Sequence, residues 1–454
     1  KFQSFISLLR EKYYPHLSPL SSMQEECSDH YADPHLKKAL RVQAYADLIN
    51  NGWLGDPAHL WLKKCVWKIK KAEWAKHGKR PRMIVDLKTP ASLLGFRYME
   101  ALKQAQASAP VDLNGGQLYF CKSPDPSTLR NVFKELECPT KRFYFVFFSD
   151  DACFAVHHQG KVLRFNLDIS SCDASHSPAL FKLLLQLFPQ DQRYEVNRLI
   201  RQCESTLVLS ATQDRKMKVE LKPTRPMLYS GSTITTAINN LANILIAYKL
   251  SLLTDFDPKN VEEAAASAGY AVTGTAPLQY IEDVQFLKHS PVYDIDGVLH
   301  PVLNLGVLLR TSGVCFGDLP GRKKDGFEAR ARSFQASLLR GMYPTTHFTL
   351  IENMKNAAGA DYAVLDRQTV AHLAYKVTDS GHSHFTPIES SLYLRYRLSS
   401  AEIISLETEF GNAGVGEFYN HSAASKILDA DYGLQCTEYG VIENNLRYCD
   451  SFCA

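Results

Sequence analysis

The chain has 454 residues, 45% apolar and 22% charged. That is the balance of a folded protein with enough core for two or three subdomains. A net charge of +3 gives no global field for a polyanion, so any nucleic-acid surface must come from local clusters. Eleven cysteines are dispersed without metal-ligand spacing, which argues against a zinc ribbon or a disulfide scaffold and for reduced thiols in a cytosolic compartment. The chain opens at Lys1 without a Met and reads as a fragment or a processed product.

Taken in chain order, the first 140 residues mix helical stretches with Lys/Arg-rich ones, notably KKCVWKIKKAEWAKHGKRPRMIVDL at 63–87. Residues 141–170 are the most strand-like: RFYFVFF, ACFAV and KVLRFNLDI are aromatic or β-branched and separated by turn signals. From Ser177 to Pro189 the pattern turns helical, with Pro178 suited to a first turn. Residues 216–231 read as a strand and then a loop, and 233–253 as a long, largely apolar helix. Its apolar run at 241–253 carries Lys249 and falls short of the roughly 18–20 residues a membrane span requires. Asp257 and Pro258 start another helix, which Gly269 stops. Beyond it, 281–288 reads as a short strand, and 300–310 and 391–410 as helices. There is no internal repeat, and the whole is an α+β pattern of strands flanked by helices.

Two pairs of aspartates fall at the ends of predicted strands. Asp150 and Asp151 sit at the tip of the first hairpin, and Asp168 sits where VLRFNL stops being strand, with Asp173 five residues on. Carboxylates from separate elements converging on divalent ions are what two-metal phosphoryl transfer requires. Singly, each pair is also an ordinary acidic turn. Downstream, YSGSTITTAINNLAN sets Ser230 and Gly231 before a helix on which Thr235 and Asn239 share a face.

These residues resemble a family. DISSCD, SGSTITTAIN and the basic KAE…RPRMI are similar to motifs A, B and F of viral RNA-dependent RNA polymerases, and FLKHSP at 286–291 looks like the motif E strand. Motif C, the doublet aspartate, normally follows motif B. Here TDFDP (254–258) runs into a helix start, and YIEDVQ (280–285) leaves no room for a motif D helix. FFSDDACF, upstream of motif A, fits better, and the resulting order C-A-B is similar to the permuted polymerases of permutotetraviruses and birnaviruses. Such reordering is permissible because the hairpin and strand A would be sheet neighbours.

The resemblance implies a right-hand polymerase whose antiparallel palm sheet is flanked by helices. Fingers would occupy 1–140, the palm 141–290 with a fingers insertion near 190–226, and the thumb 291–454. Asp150 and Asp168 would be the principal ligands of two Mg²⁺ or Mn²⁺ ions, with Asp151 a weaker or indirect one. Asp173, Asn239 and Ser230, with Gly231 and Thr235 beside them, would recognise the incoming ribose, whose 2′-OH both donates and accepts. Lys71, Arg80 and Arg82 would bind the triphosphate, and Lys288 would face the primer backbone. Motif D supplies no lysine in GYAVTGTAP (269–277), so no proton donor is assigned. The implied partners are template and nascent RNA, ribonucleoside triphosphates and other viral replication proteins in the host cytoplasm. The alternatives are a reverse transcriptase or other two-metal nucleotidyltransferase, and an RNA-binding relative whose site has decayed.

Overall fold

Helix α1 (Phe2–Leu17) opens the chain, and β1 (Lys63–Lys68) and β2 (Arg82–Leu87) pair antiparallel. The structure is a computed structural model that describes residues 2–19, 63–68, 82–87, 95–108, 111–122, 124–210, 218–312, 329, 385–412 and 421–433. Helix α2 (Phe96–Ala107) leads into β3 (Val111–Leu113) and β4 (Gly116–Phe120). Helix α3 (Pro126–Glu137) starts at Asp125, whose carboxylate accepts from the Thr128 N–H, with Pro126 in the first turn.

Three strands follow as two hairpins: β5 (Phe143–Phe148), β6 (Asp151–His158) and β7 (Lys161–Ile169). Then come α4 (Cys172–Ser175), α5 (Pro178–Leu187), α6 (Arg193–Gln202), β8 (Leu207–Ser210) and β9 (Lys218–Leu221). Helix α7 (Thr235–Ser251) precedes α8 (Pro258–Ser267) and the short β10 (Val272–Thr273). The described chain closes with the hairpin β11 (His289–Tyr293) and β12 (Leu299–Leu303), then α9 (Leu305–Ser312), α10 (Glu389–Leu394), α11 (Ser400–Asn412) and α12 (Ser422–Tyr432). No described helix is long and apolar enough to cross a membrane.

The fold is α+β, with a central sheet in the order β10-β7-β6-β5-β4-β3, antiparallel except between β4 and β5. The sheet thus draws residues from both sides of position 141. A second sheet, β2-β1-β8-β9, joins residues 63–87 to 207–221.

Successive side chains of a strand point to opposite faces, so the unbroken apolar run FYFVFF explains why both faces of the central sheet are covered. Phe143, Phe145 and Phe147 face one side with Phe154, Phe165 and helix α7, while Tyr144 and Val146 face the other with Cys153, Ala155 and helix α3. The Phe154 and Phe165 rings stack with centroids 4.4 Å apart, a pair that contributes about 0.5–1.5 kcal/mol beyond its buried area. Helix α7 is buried nearly all round, as its composition requires of a core helix. At the sheet edge, Gly274 (φ +74°) packs on β7 so closely that a Cβ would lie 1.7 Å from the Asn166 carbonyl oxygen.

Three sequence expectations are corrected. Residues 281–288 are not a strand: Ile281–Asp283 is a 3-10 turn, and Phe286 and His289 close a tight turn before β11 begins. Within 300–310, Leu299–Leu303 is strand and the helix starts only at Leu305, because Pro301 fits an edge strand where it need not donate. The span 391–410 is two helices, broken between Leu394 and Ser400, where Arg397 takes a left-handed φ of +54°.

Candidate active site

The β5–β6 hairpin closes with a two-residue turn, Ser149–Asp150, since Phe148 pairs with Asp151. Ser149 takes a φ of +54°, as the first position of a primed hairpin turn demands. Glycine would adopt that conformation freely; serine carries strain of roughly 1 kcal/mol or more. Three buried asparagines of α7 hold it there. Asn240 Oδ1 accepts from the Ser149 N–H at 2.7 Å, Asn243 Nδ2 donates to the Ser149 carbonyl at 2.6 Å, and Asn239 Nδ2 donates to Ser149 Oγ at 3.2 Å. Asn240 is itself anchored by Gln106 of α2 at 3.0 Å.

Strand register brings the aspartates to one end of the sheet. Asp151 on β6 lies directly opposite Asp168 on β7, which sets their Cβ atoms about 4.5–5.5 Å apart. Asp168 also pairs with Thr273 of β10. Asp150 and Asp168 are exposed, while Asp151 is half-buried and its Oδ2 accepts from the Leu287 N–H at 2.8 Å. Burial pushes the Asp151 carboxyl up to about 6, and the charges of Asp150 and Asp168 push the same way against the Leu287 hydrogen bond and Lys288. Three carboxylates therefore gather at one end of the sheet.

The donor of that Leu287 bond belongs to a strained turn. Leu287 and Lys288 both have positive φ, +51° and +63°, in a two-residue loop closed by reciprocal backbone bonds between Phe286 and His289. The preceding segment is fastened across the sheet by side chains. Asn166 Nδ2 donates to the Asp283 carbonyl at 2.8 Å, its Oδ1 accepts from the Gln285 N–H at 3.0 Å, and Cys153 Sγ donates to the Gln285 carbonyl at 2.8 Å.

A second group forms around Asp173, in the one-turn helix after β7. Its Oδ1 accepts from Asn239 Nδ2 at 2.9 Å and its Oδ2 from the Ser230 hydroxyl. Asn239 Oδ1 accepts from His176 Nε2 at 2.7 Å and from the Cys172 thiol at 3.4 Å, while His176 Nδ1 meets the Tyr270 hydroxyl at 3.0 Å. Burial lowers the His176 pKa and raises that of Tyr270. Burial also raises the Cys172 thiol, with Asp150, Asp173 and Asp168 adding to the effect, so the two groups are electrostatically continuous.

The remaining expected residues are distributed differently. Thr235, one turn before Asn239 on α7, has its hydroxyl donating to the Tyr229 carbonyl at 3.0 Å, which folds the Ser230–Gly231 loop, with Gly231 at φ +94°, onto the helix start. Lys288 Nζ donates to the Asp431 carbonyl at 3.3 Å and lies 4.6 Å above the Tyr432 ring. Arg82 begins β2 opposite Lys68, and Lys71 and Arg80 lie outside the described residues. Sequence reading missed Asn240, Asn243, His176 and Tyr270. The asparagines were the legible ones, because three in five positions of an otherwise apolar buried helix need partners.

Among the described residues, no three His, Cys, Asp or Glu side chains converge as a metal-ligating group. Mg²⁺ asks less, since it keeps waters and is held by one or two carboxylates with substrate phosphates. Two exposed carboxylates beside a third, all hard oxygen donors, fit that requirement.

No family model matches the chain, and no curated protein matches it. Among solved structures, the X-ray structure of the birnavirus VP1-VP3 complex is similar over 82% of this chain and 60% of that one, at 12% identity and a TM-score of 0.43. The chain spans less than two thirds of the length of that protein.

Proposed function

We propose that the chain is a template-directed RNA polymerase with a permuted palm, in which hairpin β5–β6, strand β7 and the α7 loop serve as motifs C, A and B. The observation that carries the reading is the register opposing Asp151 to Asp168, with Asp150 at the adjoining turn. On this reading the central sheet is the palm and starts at β3. The β2-β1-β8-β9 sheet belongs to the fingers, and residues beyond 291 form the thumb.

Asp150 and Asp168 would hold the ions, and Asp151 would bind indirectly, because its Oδ2 is committed to the Leu287 N–H. Two divalent ions, when bound, lower the pKa of an attacking 3′-hydroxyl and neutralise the leaving pyrophosphate. The chain's own part is orientation. Ser149 and its three asparagines fix the turn that carries Asp150, and Asp173, steadied by Ser230 and Asn239, accepts from the ribose 2′-OH of the incoming nucleotide. Lys71, Arg80 and Arg82 would grip its triphosphate, and Lys288 would reach a primer phosphate by leaving Tyr432. Template and product RNA, ribonucleotides and other replication proteins in a host cytoplasm are the partners this activity implies.

Primer extension with labelled ribonucleotides tests the reading. Asp150→Ala and Asp168→Ala should each abolish Mg²⁺-dependent synthesis while RNA affinity stays within about threefold, as removal of a transition-state contact predicts. Synthesis that survives both substitutions sinks the assignment. RNA binding without synthesis by the unaltered chain favours a decayed relative.

A further inference from the structure

We infer that His176, oriented by Tyr270, fixes the Asn239 amide and so determines ribose selectivity at the proposed site. The inference rests on the reading of Asp173 as the partner of the ribose 2′-OH.

A carboxamide has two near-isosteric orientations, and the surrounding donors and acceptors decide which one stands. For Asn239 the decision is shared between two sides. Nδ2 donates to Asp173 Oδ1 and to Ser149 Oγ; Oδ1 accepts from His176 Nε2 and the Cys172 thiol. Asn239 and His176 are both buried, 1% and 3% exposed, so water does not settle the orientation in their place.

The histidine must therefore carry its proton on Nε2, because an amide oxygen cannot donate. Tyr270 complements that tautomer: its hydroxyl, 3.0 Å from Nδ1, can donate to the bare nitrogen of a ring whose pKa burial lowers. A single direction of donation runs from Tyr270 through His176 and Asn239 to Asp173. Reversing the amide would set Oδ1 against the Asp173 carboxylate and leave Nδ2 facing the donor on His176. Asp173 would then turn away from Ser230, and the pair that distinguishes hydroxyl from hydrogen at C2′ would be lost. His176 touches no substrate and is a positioning residue, linked through Asn239 to the turn that carries Asp150.

The test is the ratio of kcat/KM for a ribonucleotide to that for the matching deoxyribonucleotide on one RNA template, measured for the full chain. His176→Phe removes the donor at similar volume and should lower the ratio about tenfold, the scale of one buried charge-linked hydrogen bond. His176→Gln, which can still donate to Asn239, should restore most of it. A His176→Phe protein that slows both nucleotides equally, with the ratio unchanged, overturns the inference. If His176→Phe does not fold, Tyr270→Phe decides: a ratio lowered about threefold or more supports the inference, and an unchanged ratio ends it. Asp173→Ala separates the two layers. An unchanged ratio there sinks the sugar-site reading and the inference with it. A lowered ratio there, with His176→Phe unchanged, sinks the inference alone.

Discussion

Ser149 shows how a single residue can be disfavoured by its own backbone and still be held. Its φ of +54° would suit glycine, yet its N–H, carbonyl and hydroxyl each meet a different asparagine of α7. Only the hydroxyl contact depends on the side chain, so two of the three bonds survive any substitution other than proline. Ser149→Ala should cost about 1 kcal/mol, since it loses the Oγ bond and keeps the strain. Ser149→Gly loses the same bond but relieves the strain, and should be at least as stable as the alanine variant. Urea unfolding of the two proteins checks the order; alanine more stable than glycine would mean that the turn is not strained. The serine stands in plain sight before the aspartate doublet, but its compensation does not, because the asparagines lie about ninety residues away.

At the scale of elements, what was legible depends on whether backbone or side chains make the bonds. Hairpins β5–β6 and β6–β7 follow from aromatic and β-branched runs separated by turn signals, and their register delivers Asp151 opposite Asp168. Helix α7 was equally plain. The segment 281–288 misled because its partners are side chains: Asn166, Cys153 and Asp151 take the places that a neighbouring strand would fill. No periodicity records such an arrangement. The Leu287–Lys288 turn that ends it stores strain at two successive non-glycine residues, and the Asp151 carboxylate is what its first N–H gains. Leu287→Pro removes that donor and cannot adopt the positive φ, so it should destabilise the fold by roughly 3 kcal/mol or more. Leu287→Gly keeps the donor and relaxes the turn but gives up the partial packing of the leucine side chain, and should destabilise the fold less than proline does. Thermal unfolding of the two distinguishes a strained, anchored turn from an incidental one, for which both would behave alike.

Across the whole molecule, the apolar core falls into clusters on the two faces of the central sheet and a further one among β11, β12 and helices α9 to α12. Charge joins the last cluster to the sheet. Arg395 donates through Nε to Asp431 Oδ1 at 2.9 Å, and its other nitrogens reach the Asp283 carbonyl at 2.6 Å and Gln285 Oε1 at 3.1 Å. Asp431, its side chain fully buried, also accepts from the Gly306 N–H at 2.7 Å and the Tyr396 hydroxyl at 2.9 Å. Gly306 cannot be replaced without a clash, since a Cβ would lie 2.5 Å from the same carboxylate. One arginine thus ties α12 to the segment that carries the Leu287 donor, and so indirectly to Asp151. Neither the partners nor the break near Arg397 could be read from 391–410, whose apolar spacing suits one continuous helix. Asp431→Ala leaves a guanidinium buried without its anion, and should cost about 3–5 kcal/mol. Asp431 binds Gly306, Arg395 and Tyr396 within the C-terminal cluster, while the bonds of Arg395 to Asp283 and Gln285 do not depend on it. The loss should therefore loosen that cluster first, while the aromatic core around Phe154 and Phe165 persists. Hydrogen exchange resolves this, with protection lost in α9 and α12 ahead of β5 to β7. A single transition in the variant, with all elements exchanging together, would mean that the C-terminal cluster and the aromatic core unfold as one cooperative unit.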